Sequence, residues 1–89
     1  MISRELVITN KLGLHARAAA RLVTLTARFE SEIFLERNGN RVNGKSIMGV
    51  MMLAAAQGTR LILTAEGADE EAAVTEIVAL VENRFDEAE

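Results

Sequence analysis

Glu32-Ile33-Phe34-Leu35-Glu36-Arg37-Asn38-Gly39-Asn40-Arg41-Val42-Asn43 is the stretch on which the fold turns. Glu32 to Arg37 alternates as a half-buried strand does, and Arg41 to Asn43 is a short second run. Between them Asn38-Gly39 predicts a hairpin, because both residues tolerate the positive φ of a type I′ turn. Upstream, Ala16 to Phe29 changes to a helical period, with Ala18, Leu22, Leu25 and Phe29 on one face. Arg17, Arg21, Thr24 and Arg28 fall on the wet face. Earlier still, Arg4 to Thr9 alternates as a first strand, with Leu6 and Ile8 inward. Downstream, Ser46 is placed to cap a helix from Ile47 to Ala55 that Gln57-Gly58 stops. Arg60 to Glu66 is a fourth strand, broken by Gly67. Asp69 is expected to cap a last helix whose first turn holds Glu70 and Glu71. Its apolar stripe is Val74, Ile77, Val78, Val81 and Phe85. The order β-α-β-β-α-β-α, with no repeat and no linker, predicts one domain over residues 1–89, a two-layer sandwich of sheet and helices.

At 89 residues, 49% hydrophobic and 26% charged, the composition is that of a globular domain with one modest core. The chain has no Cys, so disulfide scaffolds, thiol nucleophiles and thiolate zinc sites are excluded. One His is too few for the usual metal ligand sets, and no cofactor is expected. Met1 to Glu5 does not read as a signal peptide, and the apolar run Ile47 to Ala56 is too short to span a bilayer. A cytoplasmic protein without membrane insertion is therefore expected, and a monomer is expected separately from these absences. The net charge of -3 hides a gradient. Residues 1–28 hold five basic residues against Glu5, a local +4, while residues 66–89 hold nine carboxylates against Arg84, a local -8. The basic leading end suits an acidic partner or a phosphate, and the acidic tail serves solubility. With no Trp, no Tyr and an acidic total, a nucleic-acid partner is not expected, and an RNA-binding module is the weaker alternative.

Lys11-Leu12-Gly13-Leu14-His15-Ala16-Arg17 carries the chemistry. It sets the only His at a loop-to-helix junction. The first N–H groups of a helix, that of Ala16 among them, have no acceptor within it and bind anions. The positive end of the dipole disfavours an imidazolium and keeps His15 neutral and nucleophilic. Arg17 stands where it can donate charge-assisted hydrogen bonds to a phosphoryl oxygen. These features describe a site that takes a phosphoryl group on nitrogen, and gives it up because no base or metal directs water to it. A helix-capping or surface histidine is the plain alternative, although this is the wrong helix end for a structural cation.

A second feature is the helix that starts at Ile47. It is apolar nearly all round, with Ile47, Val50, Met51 and Ala54 in one stripe and Met48 and Met52 outside it. So small a domain has little to cover such a helix with, so an exposed, adaptable contact patch around Met48 is expected. Core filling remains the alternative for Met51 and Met52. Ser46 is a helix cap in any reading. A phosphate added to it would gain from the dipole and leave the fold intact, with Lys45 as a possible partner.

Gly13-Leu14-His15-Ala16-Arg17 together with Asn43-Gly44-Lys45-Ser46-Ile47-Met48-Gly49-Val50-Met51 resembles the HPr family, the histidine-containing phosphocarrier proteins of the bacterial phosphoenolpyruvate-dependent phosphotransferase system. The resemblance covers essentially the whole chain. It implies an α+β fold, an open-faced β-sandwich in which three helices cover one side of a four-stranded antiparallel sheet. It implies a carrier rather than an enzyme, phosphorylated on Nδ1 of His15 by enzyme I and discharged to a histidine of an enzyme IIA. Ala16 would give a backbone amide and Arg17 a guanidinium to the phosphate. Ser46 matches the serine modified by an HPr kinase/phosphorylase where that enzyme exists. Arg21, Thr24, Ile47, Met48 and Met51 are the expected partner contacts, and the Met48 patch would lie beside His15 if both helix N-termini face one end of the sheet. Ala18 stands where the family often has proline, which leaves open whether the chain serves sugar uptake or the nitrogen-related regulatory branch.

Overall fold

The computed structural model describes residues 1–88. Its hairpin joins β2 (Glu32–Arg37) to β3 (Asn40–Asn43), with Arg37 opposite Asn40 and Leu35 opposite Val42. Asn38 (φ 51°) and Gly39 (φ 83°) are both left-handed, as the type I′ turn requires. β4 (Arg60–Glu66) pairs antiparallel with β2 on one side and with β1 (Ile2–Val7) on the other, giving the order β1-β4-β2-β3. Leu6, Ile33, Leu35, Leu61, Leu63 and Ala65 are buried on the inner face. Glu5, Ile62 and Glu36 are register partners on the other face, where Arg41 also lays its guanidinium 3.8 Å from the centre of the Phe34 ring. The sheet is thus apolar on one side only, which is what calls for helices there.

Three helices supply the cover. α1 (Ala16–Thr26) buries Ala18, Ala19, Leu22 and Thr26, α2 (Ile47–Met52) buries Val50, and α3 (Glu70–Glu82) buries Ala73, Val74, Ile77 and Val81. The expected antiparallel sheet and three-helix layer are what the chain forms.

Several boundaries differ from the sequence reading, each for a local reason. β1 ends at Val7 rather than Thr9, although Ile8 stays buried and still pairs through Ile8 N to Thr59 O at 2.9 Å. α1 ends at Thr26, three residues before Phe29, because Thr26 turns its hydroxyl to Gly44 O at 2.8 Å. α2 ends at Met52, not Ala55. Ala54 is left-handed (φ 50°), and Arg37 donates from Nη1 to Leu53 O at 2.8 Å and Ala54 O at 2.9 Å. A guanidinium on the negative end of the dipole stops this helix, and Gln57-Gly58 only turns the chain into β4. Asp69 precedes α3 without a capping hydrogen bond. Its carboxylate instead accepts from Glu30 N and Ser31 N, each at 2.9 Å, and from the Ser31 hydroxyl, fastening α3 to the loop before β2. Phe85 is not part of the α3 stripe. It is buried from a 3-10 turn, Arg84–Asp86, in which Arg84, Phe85 and Asp86 all have positive φ (57°, 54° and 62°).

Candidate functional site

The site is built from the loop between β1 and α1, the first turn of α1 and the last residues described. The loop is stitched shut before it delivers His15. Gly13 N donates to Asn10 O at 3.2 Å, Asn10 Nδ2 to Gly13 O at 2.7 Å, and Leu14 N to Ala55 O at 2.8 Å. Gly13 (φ 69°) has to be glycine, since a Cβ there would sit 2.4 Å from Ala55 O. Leu14 is buried, so the backbone emerges with His15 at the rim.

His15 is the N-cap of α1, in extended conformation (φ -74°, ψ 178°). Its carbonyl accepts from Ala19 N at 2.9 Å, and its Nδ1 accepts from Arg17 N at 3.3 Å. The ring therefore takes the role that Ser or Asp usually takes at this position. Arg17 is exposed, and among the described residues its guanidinium has no carboxylate partner. Ala16 is exposed beside it. Nδ1, the first-turn amides and a free guanidinium thus share one opening, and an incoming phosphoryl group would meet all three there.

On the far side of the ring, Nε2 lies 2.5 Å from Glu87 Oε2. The other oxygen, Oε1, accepts from Asn10 Nδ2 at 2.9 Å. The Glu87 carboxyl is held below the usual carboxylate range, chiefly by the Asn10 amide and further by His15 and Arg21, against the opposing effect of partial burial. Arg21, expected as a partner contact, is half-buried and donates from Nη1 to the Phe85 carbonyl. The expectation that no base stands near the ring is corrected: a carboxylate does. It faces Nε2, away from the nitrogen that the arginine side leaves open.

Thr24 is exposed on α1 and bonds back to Ala20 O at 2.8 Å. On α2, Met48 is 74% exposed, Met52 78%, Ile47 43% and Met51 40%, so the methionines form a surface and Met51 and Met52 are not core filler. The expectation that the N-termini of α1 and α2 share one end is corrected. Thr26, the last residue of α1, bonds to Gly44 just before α2, while Leu14 bonds to Ala55 just after it. The two helices run past each other, and the methionine helix meets the His15 loop through its C-terminal end. Ser46 is half-buried, and its Oγ accepts from Gly49 N at 3.1 Å. Lys45 is not turned toward it: Nζ donates to Phe29 O at 2.7 Å.

Little in the local sequence marks Asn10 or Glu87. Only the adjoining Gly13 turn hints at the first. The second lies 72 residues from the histidine, in a tail whose charge reads as solubilising.

A family model described as the PTS HPr component phosphorylation site matches residues 2–83. The phosphocarrier protein HPr of Cupriavidus necator is 51% identical over 89 residues, covering all of both chains. That of Pseudomonas aeruginosa is 51% identical over 90 residues, again covering both completely. Among solved structures, HPr from Thermoanaerobacter tengcongensis superimposes with a TM-score of 0.96 at 45% identity over the whole of both chains. HPr from Bacillus anthracis does so with a TM-score of 0.87 at 41% identity, covering 90% of this chain and 95% of that one. Sequence motifs, sheet order and full-length likeness agree: the chain belongs to the HPr family, the phosphocarriers that stand between enzyme I and enzyme IIA in the phosphotransferase system and are not themselves enzymes.

Proposed function

We propose that His15 is the residue that carries the phosphoryl group, on Nδ1, taking it from enzyme I and passing it to a histidine of an enzyme IIA. The observation that carries this reading is the placing of Nδ1 at the start of α1, with the Arg17 amide 3.3 Å away and an exposed guanidinium on the same residue. A phosphoryl group bonded there would exchange the ring's contact with the Arg17 amide for contacts of its own with the Ala16 and Arg17 amides and the Arg17 side chain. Every group the site needs comes from one chain, which supports a monomer. The setting is cytoplasmic, where phosphoenolpyruvate and enzyme I would be met. Docking is assigned to the exposed side of α2, Ile47, Met48 and Met51, with Thr24 and the Arg21 region of α1 adding polar contacts. Ser46 is a regulatory site in this reading, since added phosphate would meet the first-turn amides of α2 next to that surface, where an HPr kinase/phosphorylase is present.

Incubation with phosphoenolpyruvate and enzyme I should add one acid-labile phosphoryl group, and His15→Ala should abolish it. Acid-labile phosphate on the His15→Ala chain would overturn the assignment. Sugar uptake is the favoured branch, and the relatives named HPr support it. Faster exchange with a nitrogen-type enzyme IIA than with a sugar-type one would move the chain to the regulatory branch.

A further inference from the structure

We propose that Glu87 is a positioning residue for this reaction, holding the ring proton on Nε2 so that Nδ1 is the nitrogen that offers its lone pair to phosphorus. The inference deepens the reading of His15 as acceptor and rests on it. A backbone amide only donates, so the nitrogen 3.3 Å from Arg17 N has to be the unprotonated one. An ionised carboxylate only accepts, so the nitrogen 2.5 Å from Glu87 Oε2 has to carry the proton. Both contacts select the same tautomer, and the partner of one ring nitrogen sets the role of the other.

The carboxylate is itself held in place. Asn10 is fully buried, and its Nδ2 donates both to Glu87 Oε1 at 2.9 Å and to Gly13 O at 2.7 Å. Turning that amide over would set Oδ1 against a carbonyl and a carboxylate. Its orientation is therefore fixed, although it leaves Oδ1 buried with no hydrogen-bond partner among the described residues. The strap that carries Glu87 is just as constrained. Three consecutive non-glycine residues, Arg84, Phe85 and Asp86, are left-handed, the Phe85 side chain is fully buried, and Arg21 holds its carbonyl. A tail serving only solubility needs none of these. Backbone strain gathered in the one segment that brings a carboxylate to a reactive ring marks a functional placement.

In the transfer, the bond from phosphorus to the donor group of enzyme I breaks and its electron pair stays with that group. The Nδ1 lone pair of His15 forms the new bond to phosphorus. The proton remains on Nε2, so the phosphorylated ring is positively charged and faces the Glu87 carboxylate. On delivery the lone pair of the acceptor histidine forms the new bond to phosphorus, the Nδ1–phosphorus pair returns to Nδ1, and the same proton is still in place. No proton is gained or lost in either step, and the carboxylate favours the protonated ring, the better leaving group.

The test uses the full chain with its single histidine ring labelled with nitrogen-15. Long-range proton–nitrogen spectra of the unphosphorylated wild type should show the proton on Nε2, and a proton on Nδ1 overturns the proposal without any variant. In Glu87→Ala and Glu87→Gln, with amide spectra confirming the fold, the ratio of Nε2–H to Nδ1–H forms should fall by about threefold or more. The maximal rate of transfer from phosphorylated enzyme I should fall by about tenfold, with the KM of enzyme I for this chain unchanged. Folded variants that keep both the tautomer ratio and the rate overturn the proposal. Wild-type protein that takes no phosphate at His15 would instead overturn the acceptor reading, and the tautomer measurement stands apart from that outcome.

Discussion

The starts of α1 and α2 are built alike and are equipped differently. Each is capped by its own N-cap side chain: His15 Nδ1 takes the Arg17 amide at 3.3 Å, and Ser46 Oγ takes the Gly49 amide at 3.1 Å. Behind His15 stand the Glu87 carboxylate and the buried Asn10, and ahead of it an exposed guanidinium with no carboxylate partner among the described residues. Ser46 has no such surroundings. The neighbouring cation, Lys45, is spent on the Phe29 carbonyl, and the exposed residues that follow are apolar. In the proposed reading, unsatisfied amides alone therefore do not make a carrier that takes a phosphoryl group and hands it on. A cap with a nucleophilic lone pair, a group fixing it from behind and a free cation in front are what separate the two.

The largest effect that would sharpen this contrast comes from the cations. Arg17→Ala should slow phosphoryl transfer to the chain about a hundredfold, as removal of one fixed donor to a developing anion does, with little change in stability. Lys45→Ala should leave the rate within about twofold, because that charge is committed elsewhere. Equal losses in single-turnover assays would break the comparison. Next comes the cap itself. Ser46→Ala should lower unfolding free energy by about 1 kcal/mol in denaturant titrations while transfer to His15 proceeds as before. A matching loss of transfer would mean that the two helix starts are coupled.

The start of α3 gives the smallest effect, since asparagine keeps one acceptor oxygen, and it is read as a pH dependence. The Asp69 carboxyl lies below its ordinary value of 3.8, held there first by the Ser31 hydroxyl and then by the amides of Glu30 and Ser31, against partial burial. A depressed folded-state value gives stability that is full above the unfolded value and is lost as pH falls through the folded one. The stability gap between wild type and Asp69→Asn should therefore be constant at neutral pH and close as pH falls below 3.8. A gap independent of pH across that range would mean that Asp69 is not ionised in the fold.

What the sequence made legible follows the same physics. β2, β4 and the Asn38-Gly39 turn stood out because alternation and positive φ are local properties. His15, Arg17 and Ser46 stood out because helix starts have characteristic residues. The ends of α1 and α2 did not, since Thr26 and Arg37 act on them through carbonyls of Gly44, Leu53 and Ala54, and hydrophobic periodicity carries no trace of such contacts. Asp69 looked like a cap because its type and place were right, yet Ser31 and Glu30 offered its oxygens better donors. Glu87 was out of reach for a different reason. In an acidic tail one more carboxylate has no local mark, and only the buried Phe85 and the left-handed turn around it bring that residue to the ring.

The measurement that bears most directly on the account is nitrogen–phosphorus coupling in the ring-labelled chain after reaction with phosphoenolpyruvate and enzyme I. One phosphorus coupled to Nδ1 of His15, with Nε2 still bearing its proton, is the predicted result. Phosphorus on Nε2, or on any residue other than His15, would contradict it.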